Sequence, residues 1–125
     1  MPVVISAGHW QQRGWFLQRI GASWRWHVGG IDCDGGQAVP MGRWTHLAAM
    51  YDGSKAVLFQ DGNPAAQKAG EPVRASWDGG LFVGHYSGDQ SAPFQVHGLM
   101  GGVKYYVRPL TAEEAARSFQ AGPPK

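Results

Sequence analysis

Apolar positions recur with a period of two in short runs along most of this chain. From Ser23 to Val28, Trp24, Trp26 and Val28 alternate with Arg25 and His27, the pattern of a strand with one face buried. Trp15 to Ile20 reads as a preceding strand joined to it at Gly21. Its inner side must place Trp15 or Phe16 in the core. Trp44 to Tyr51 is apolar on both parities except at Thr45 and His46, which predicts a central strand covered on both faces, with Trp44 in the core. Lys55–Gln60, the turn Asp61-Gly62 and Pro64–Lys68 form a predicted hairpin. Leu81–Tyr86 and Phe94–Arg108 read as further strands, the second broken by a bulge at Gly101-Gly102. Asp34-Gly35, Asp52-Gly53 and Asp78-Gly79 complete a set of four Asp-Gly turn signals. Only the end looks helical. Thr111 with Glu114 forms a capping box, Ala112, Ala115, Ala116 and Phe119 form one apolar face, and Gly122-Pro123 stop the helix.

Many short strands and one terminal helix predict an all-β antiparallel sandwich. The 125 residues fit a single domain over 1–125. Hydrophobic residues at 43% against 16% charged exclude a disordered chain. No apolar run approaches the roughly 18 residues of a membrane span. The formal charge is +2, and the arginines are scattered, so no element concentrates the basic residues that nucleic-acid binding requires. Cys33 is the single cysteine, which excludes an intrachain disulfide and a cysteine-based zinc site. The start, Met1-Pro2-Val3-Val4, lacks a secretory signal pattern, and localisation stays open on these residues alone.

The run Gly42-Arg43-Trp44-Thr45-His46-Leu47-Ala48-Ala49-Met50-Tyr51-Asp52-Gly53 resembles the core signature of the laminin-G-like, concanavalin A-like lectin/glucanase domains. Ala56 to Pro64 resembles that family's next hairpin, Gly80-Leu81-Phe82-Val83-Gly84 a later strand, and Gly98 to Ala115 its last strand and short helix. The resemblance covers roughly Val3 to Gly122 and implies a jelly-roll β-sandwich. It also implies an extracellular, non-catalytic binding or adhesion module. Members open with a strand before the segment resembling Val3–Ser6, and no such strand precedes it here. The expectation is either that the sequence is a piece of a longer chain or that a sheet edge is uncovered, at which chains pair into a homo-oligomer such as a homodimer.

Glycoside hydrolysis needs two carboxyl groups about 5–10 Å apart across the sugar. Glu71 lies in a Pro-flanked loop and Glu113 and Glu114 in the helix's first turn, so none sits on a strand and a glycosidase ranks third among the readings. His46 reads as a hydrogen-bonded structural histidine and His27 as half exposed. His9, His85 and His97 lie at strand ends without zinc spacing. The resemblance implies a rim calcium in some members. Asp32 and Asp34 are the weak calcium candidates, against a plain acidic turn, and no other cofactor is implied. Trp24 and Trp26 share a buried face, whereas Trp77 sits in a loop. Trp77, His85, Tyr86 and Asp89 are the candidate glycan-binding residues, since sugar rings present apolar faces to aromatic platforms. The leading expectation is therefore a carbohydrate- or glycoconjugate-binding module. The alternative is a structural or protein-interaction module assembling through its uncovered edge.

Overall fold

The computed structural model describes residues 1–10, 14–37, 42–71, 80–106 and 108–123. Among them the chain forms two antiparallel sheets and one C-terminal helix, the sandwich that the alternation predicts. The strands are β1 (Val3–Ala7), β2 (Trp15–Ile20), β3 (Ser23–Val28), β4 (Ile31–Gly35), β5 (Leu47–Tyr51), β6 (Lys55–Gln60), β7 (Asn63–Ala69) and β8 (Leu81–Val83); the helix α1 is Ala112–Gln120. The larger sheet has the order β4-β3-β2-β1-β8, and the smaller β5-β6-β7.

Register decides what faces inward. Leu17 lies opposite Trp26, which lies opposite Cys33, so one face of the larger sheet carries Leu17, Trp24, Trp26, Ile31 and Cys33. That face packs on Ala56 and Leu58 of β6, both fully buried. The two indoles are burdened with N–H groups that burial would leave unpaired. Trp24 Nε1 donates to the Gln37 carbonyl at 2.9 Å and Trp26 Nε1 to the Met50 carbonyl at 3.1 Å, which satisfies both. The opposite parity of β6, Val57 and Phe59, is covered by Ala115 of α1. The helix begins with the full reciprocal capping box of Thr111 and Glu114 and ends before Gly122 at positive φ.

One flank of the sandwich is tight. A Cβ on Gly35 would lie 2.6 Å from the Ala66 Cβ and 2.8 Å from the Ala65 carbonyl oxygen, so only glycine lets β4 sit this close to β7. The other flank, at β8, carries the irregular segment that contains Tyr105. That ring stacks on Trp15 over a groove of about 230 Å³ also lined by Ala7 and Leu81.

Several sequence expectations need correction. β5 begins at Leu47, lies at an edge and is only half-buried, while β6 takes the central, fully covered position. His46 is held outside the ladder because its backbone exchanges hydrogen bonds with Asp61, and Trp44 before it is 44% exposed. β8 stops at Val83 because Gly84 turns at positive φ. Residues 94–106 form no strand, so Gly101-Gly102 are no bulge; Pro93 instead sits in a short 3-10 turn, Ala92–Phe94. The observed bulge is in β1, between Val3 and Ile5. Asp34-Gly35 is part of β4 rather than a turn, and β1 lies inside its sheet, with β8 on its outer side. Asp78-Gly79 lies outside the described residues.

Candidate functional site

At the end of β1 the chain is laced to the turn that follows β8. The fully buried Ser6 hydroxyl donates to the His85 carbonyl at 3.0 Å and accepts the Ser87 N–H at 2.8 Å. The Ser87 hydroxyl in turn donates to the Gly8 carbonyl. These bonds satisfy a polar side chain placed where an apolar one would be ordinary, and they pin two elements distant in sequence. The Tyr86 ring inserts beneath them against Val3, Phe16 and Phe94, packing edge-on to Phe16 at 5.4 Å. Burial pushes its phenol above the ordinary value, so the hydroxyl stays neutral, and it accepts the Trp10 N–H at 2.7 Å. His9 then lies between Tyr86, at 6.0 Å, and the Trp10 indole, at 6.2 Å and only 24° from parallel. The outermost ring, Trp10, is 53% exposed. Gly88 leaves room for the pile, since a Cβ there would lie 2.6 Å from His9 Cδ2 and 2.7 Å from Tyr86 Cε1. Asp89 lies across an isolated bridge from Tyr86, exposed, with its carboxylate accepting the Ser91 N–H. Those bonds from Ser91 hold it below the usual carboxylate range.

A second polar group lies on the outward parity of β3 and β4. Arg25 grips Asp34 through two 2.8 Å hydrogen bonds and approaches Asp32 at 3.6 Å. His27 Nδ1 meets the same Asp32 oxygen at 2.6 Å, and its ring lies flat on Phe16 at 4.5 Å. Contrary to expectation His27 is buried, at 4% exposure. The Arg25 guanidinium holds the Asp34 carboxyl below its ordinary value. Both candidate calcium carboxylates thus already have cationic or hydrogen-bonding partners in this chain, and they lie on β4 rather than in the acidic turn expected of them. Among the described residues no cluster of three or more His, Cys, Asp or Glu can hold a metal ion.

The family model for the concanavalin A-like lectin/glucanases superfamily matches residues 2–116. The chain belongs to this superfamily. Its members' sandwich is also seen in a solved structure, residues 221–444 of an S-layer domain-containing protein from Clostridium thermocellum, with a TM-score of 0.56 over 86% of this chain at 17% identity. The chain spans 57% of that structure, and at this identity the likeness concerns fold alone. No curated protein matches.

In this superfamily member the four sequence-chosen site residues part company. His85, Tyr86 and Asp89 share one turn, but Trp77 lies outside the described residues. Tyr86 is no ligand platform: at 6% exposure it is a mount, because the turn folds its ring under β1 and β2. His85 is half-buried and rests on Phe82 at 4.9 Å. Sequence reasoning missed Trp10. The available signal was its place directly after a strand and the Gly8-His9 break, the same loop context that singled out Trp77.

Proposed function

We propose that this domain is a non-catalytic, lectin-like module that binds a carbohydrate or glycoconjugate at the Trp10 platform. The observation that supports it is the exposed Trp10 indole on a rigid support, backed by His9 and tied by its backbone to Tyr86. Pyranose rings offer apolar C–H faces to such a surface, and a few convergent polar groups fix orientation. The polar groups on offer are Asp89 and His85, on the turn whose Tyr86 hydroxyl accepts the Trp10 backbone N–H. A pre-ordered indole also loses little rotamer freedom on binding. The test is a broad glycan panel, run with calcium and with chelator, on the wild type and on Trp10→Ala. A specific hit that Trp10→Ala weakens about tenfold or more, equivalent to ~1.4 kcal/mol, supports the site. A hit that survives Trp10→Ala but disappears with Trp77→Ala moves the site, and a blank panel sinks the reading.

A second reading is supported by a different observation: β5 and β8 each pair on one side only among the described residues. Exposed backbone donors and acceptors template a further strand, which suits a structural or protein-interaction module that assembles through its edges, with a second copy as partner.

A further inference from the structure

The helix α1 lies on the smaller sheet as a separate cover. Ala115, fully buried, packs on Val57 and Phe59, with Ala48 and Met50 beside them. Ala116 and Phe119 close over Gly62, where a Cβ would lie 3.3 Å from Ala116 Cα and 3.1 Å from Phe119 Cδ2. Among the described residues a single hydrogen bond ties the helix to the sandwich beneath it, between His46 Nε2 and Ser118 Oγ at 3.1 Å. The capping box and the Arg108–Glu114 pair join the helix only to itself and its lead-in. Upstream, residues 99–106 join no ladder, and their backbone groups hydrogen-bond to no described residue. The cover is therefore held by packing and by one histidine.

That histidine is satisfied only while neutral. Its Nδ1 is buried and has no hydrogen-bond partner. The tautomer that suits this network carries its proton on Nε2, donates it to Ser118 and leaves a bare lone pair at Nδ1. We infer that α1 is an acid-released flap: a proton added at Nδ1 of His46 finds no acceptor beneath the helix, and the helix lifts to give it water, uncovering Ala48, Met50, Val57 and Phe59. The groups that face the ring from each side supply no alternative acceptor. From the β6–β7 turn, the Asp61 carboxylate favours the charged ring, but its Oδ1 already accepts the His46 backbone N–H at 3.0 Å. Lys104 repels the added charge. The helix presents the Ser118 hydroxyl and the Phe119 ring, the latter at 6.2 Å. Burial accordingly holds the covered ring below its ordinary 6.5, so acid favours whichever state exposes it. Glu114, held at about 2, stays ionised across that range and takes no part in the release.

Two measurements on the whole chain test this: an NMR titration of the His46 ring, and hydrogen exchange of the α1 amides as protection factors, which divide out the intrinsic effect of pH. A nine-residue helix is marginal once detached, so its amides report the lifting. The expected His46 midpoint lies below 6.5, and α1 protection falls about threefold or more from pH 7.5 to pH 5 while β2 and β3 keep theirs. In His46→Gln, which cannot take up the proton, α1 protection is the same at both pH values. A His46 midpoint at or above 6.5 overturns the inference, and so does α1 protection that acid leaves unchanged. A fall that persists in His46→Gln, or that β2 and β3 share equally, also overturns it. Should His46→Gln lose the wild-type far-UV spectrum, the two wild-type measurements decide.

Discussion

Tyr105 lies on Trp15 with ring centroids 5.8 Å apart and planes 19° from parallel. Trp15 in turn meets Trp26 edge-on at 5.8 Å, so an exposed ring of the irregular C-terminal segment reaches the core through two aromatic contacts. The stack shields the flank that the smaller sheet does not span. Tyr105→Ala should cost about 0.5–1.5 kcal/mol beyond the area it uncovers, read as a lower urea midpoint. An unchanged midpoint would mean that the ring merely rests there.

Gly88 is the tightest point of the Trp10 mount, with ring atoms of His9 and Tyr86 where its Cβ would go. Gly88→Ala should destabilise by roughly 1–3 kcal/mol through overpacking and weaken any ligand that Trp10 binds. Thermal unfolding and the binding assay check the two effects separately. Stability equal to wild type would show that the rings part at no cost.

Acid should act in two stages. Burial, aided by Lys104 and opposed by Asp61, depresses His46 below its ordinary 6.5, so the folded state holds fewer protons there than the unfolded one. That contribution is complete above pH 6.5 and is lost as pH falls from 6.5 through the depressed value. Glu114 is held at about 2 instead of 4.5, chiefly by Arg108, and its contribution is lost between those two pH values. Urea midpoints against pH should therefore fall first below 6.5 and again below 4.5. His46→Gln should flatten the first stage, and Arg108→Gln the second. A first stage that His46→Gln leaves unchanged would assign it elsewhere.

Calcium should leave the melting temperature of the wild type unchanged at millimolar concentration, because Arg25 and His27 already occupy Asp32 and Asp34. Arg25→Ala should cost only about 0–1 kcal/mol, since the pair is partly exposed and water screens it. A rise of several degrees with calcium in the wild type would restore these carboxylates as ligands.

Much of the local structure was legible because its causes are local. The span of β2, β3 and β6 follows their alternation and turn residues, and Asp61-Gly62, both at positive φ, close the β6–β7 hairpin as an Asp-Gly pair should. The Thr111–Glu114 cap is four residues of sequence and nothing more. The site was legible only in part. His85, Tyr86 and Asp89 do share a turn, but the burial of Tyr86 depends on Val3 and Phe16, far away in the sequence.

By itself the sequence determined parity: Trp24 and Trp26 had to share a face, and Ala115 had to look toward a core. Which strands are edges, which face is covered and which aromatic ring is left outside were decided by the tertiary structure. Alternation states that two sides differ without stating what will lie against either. β5, as apolar as any strand here, became an edge because β6 took the centre, and Asp32 and Asp34 became partners of Arg25 and His27 because β3 and β4 pair in one particular register. Trp10 and Tyr86 differ little as sequence signals. Their opposite fates follow from a turn that closes over β1 and leaves one ring beneath it and the other in water.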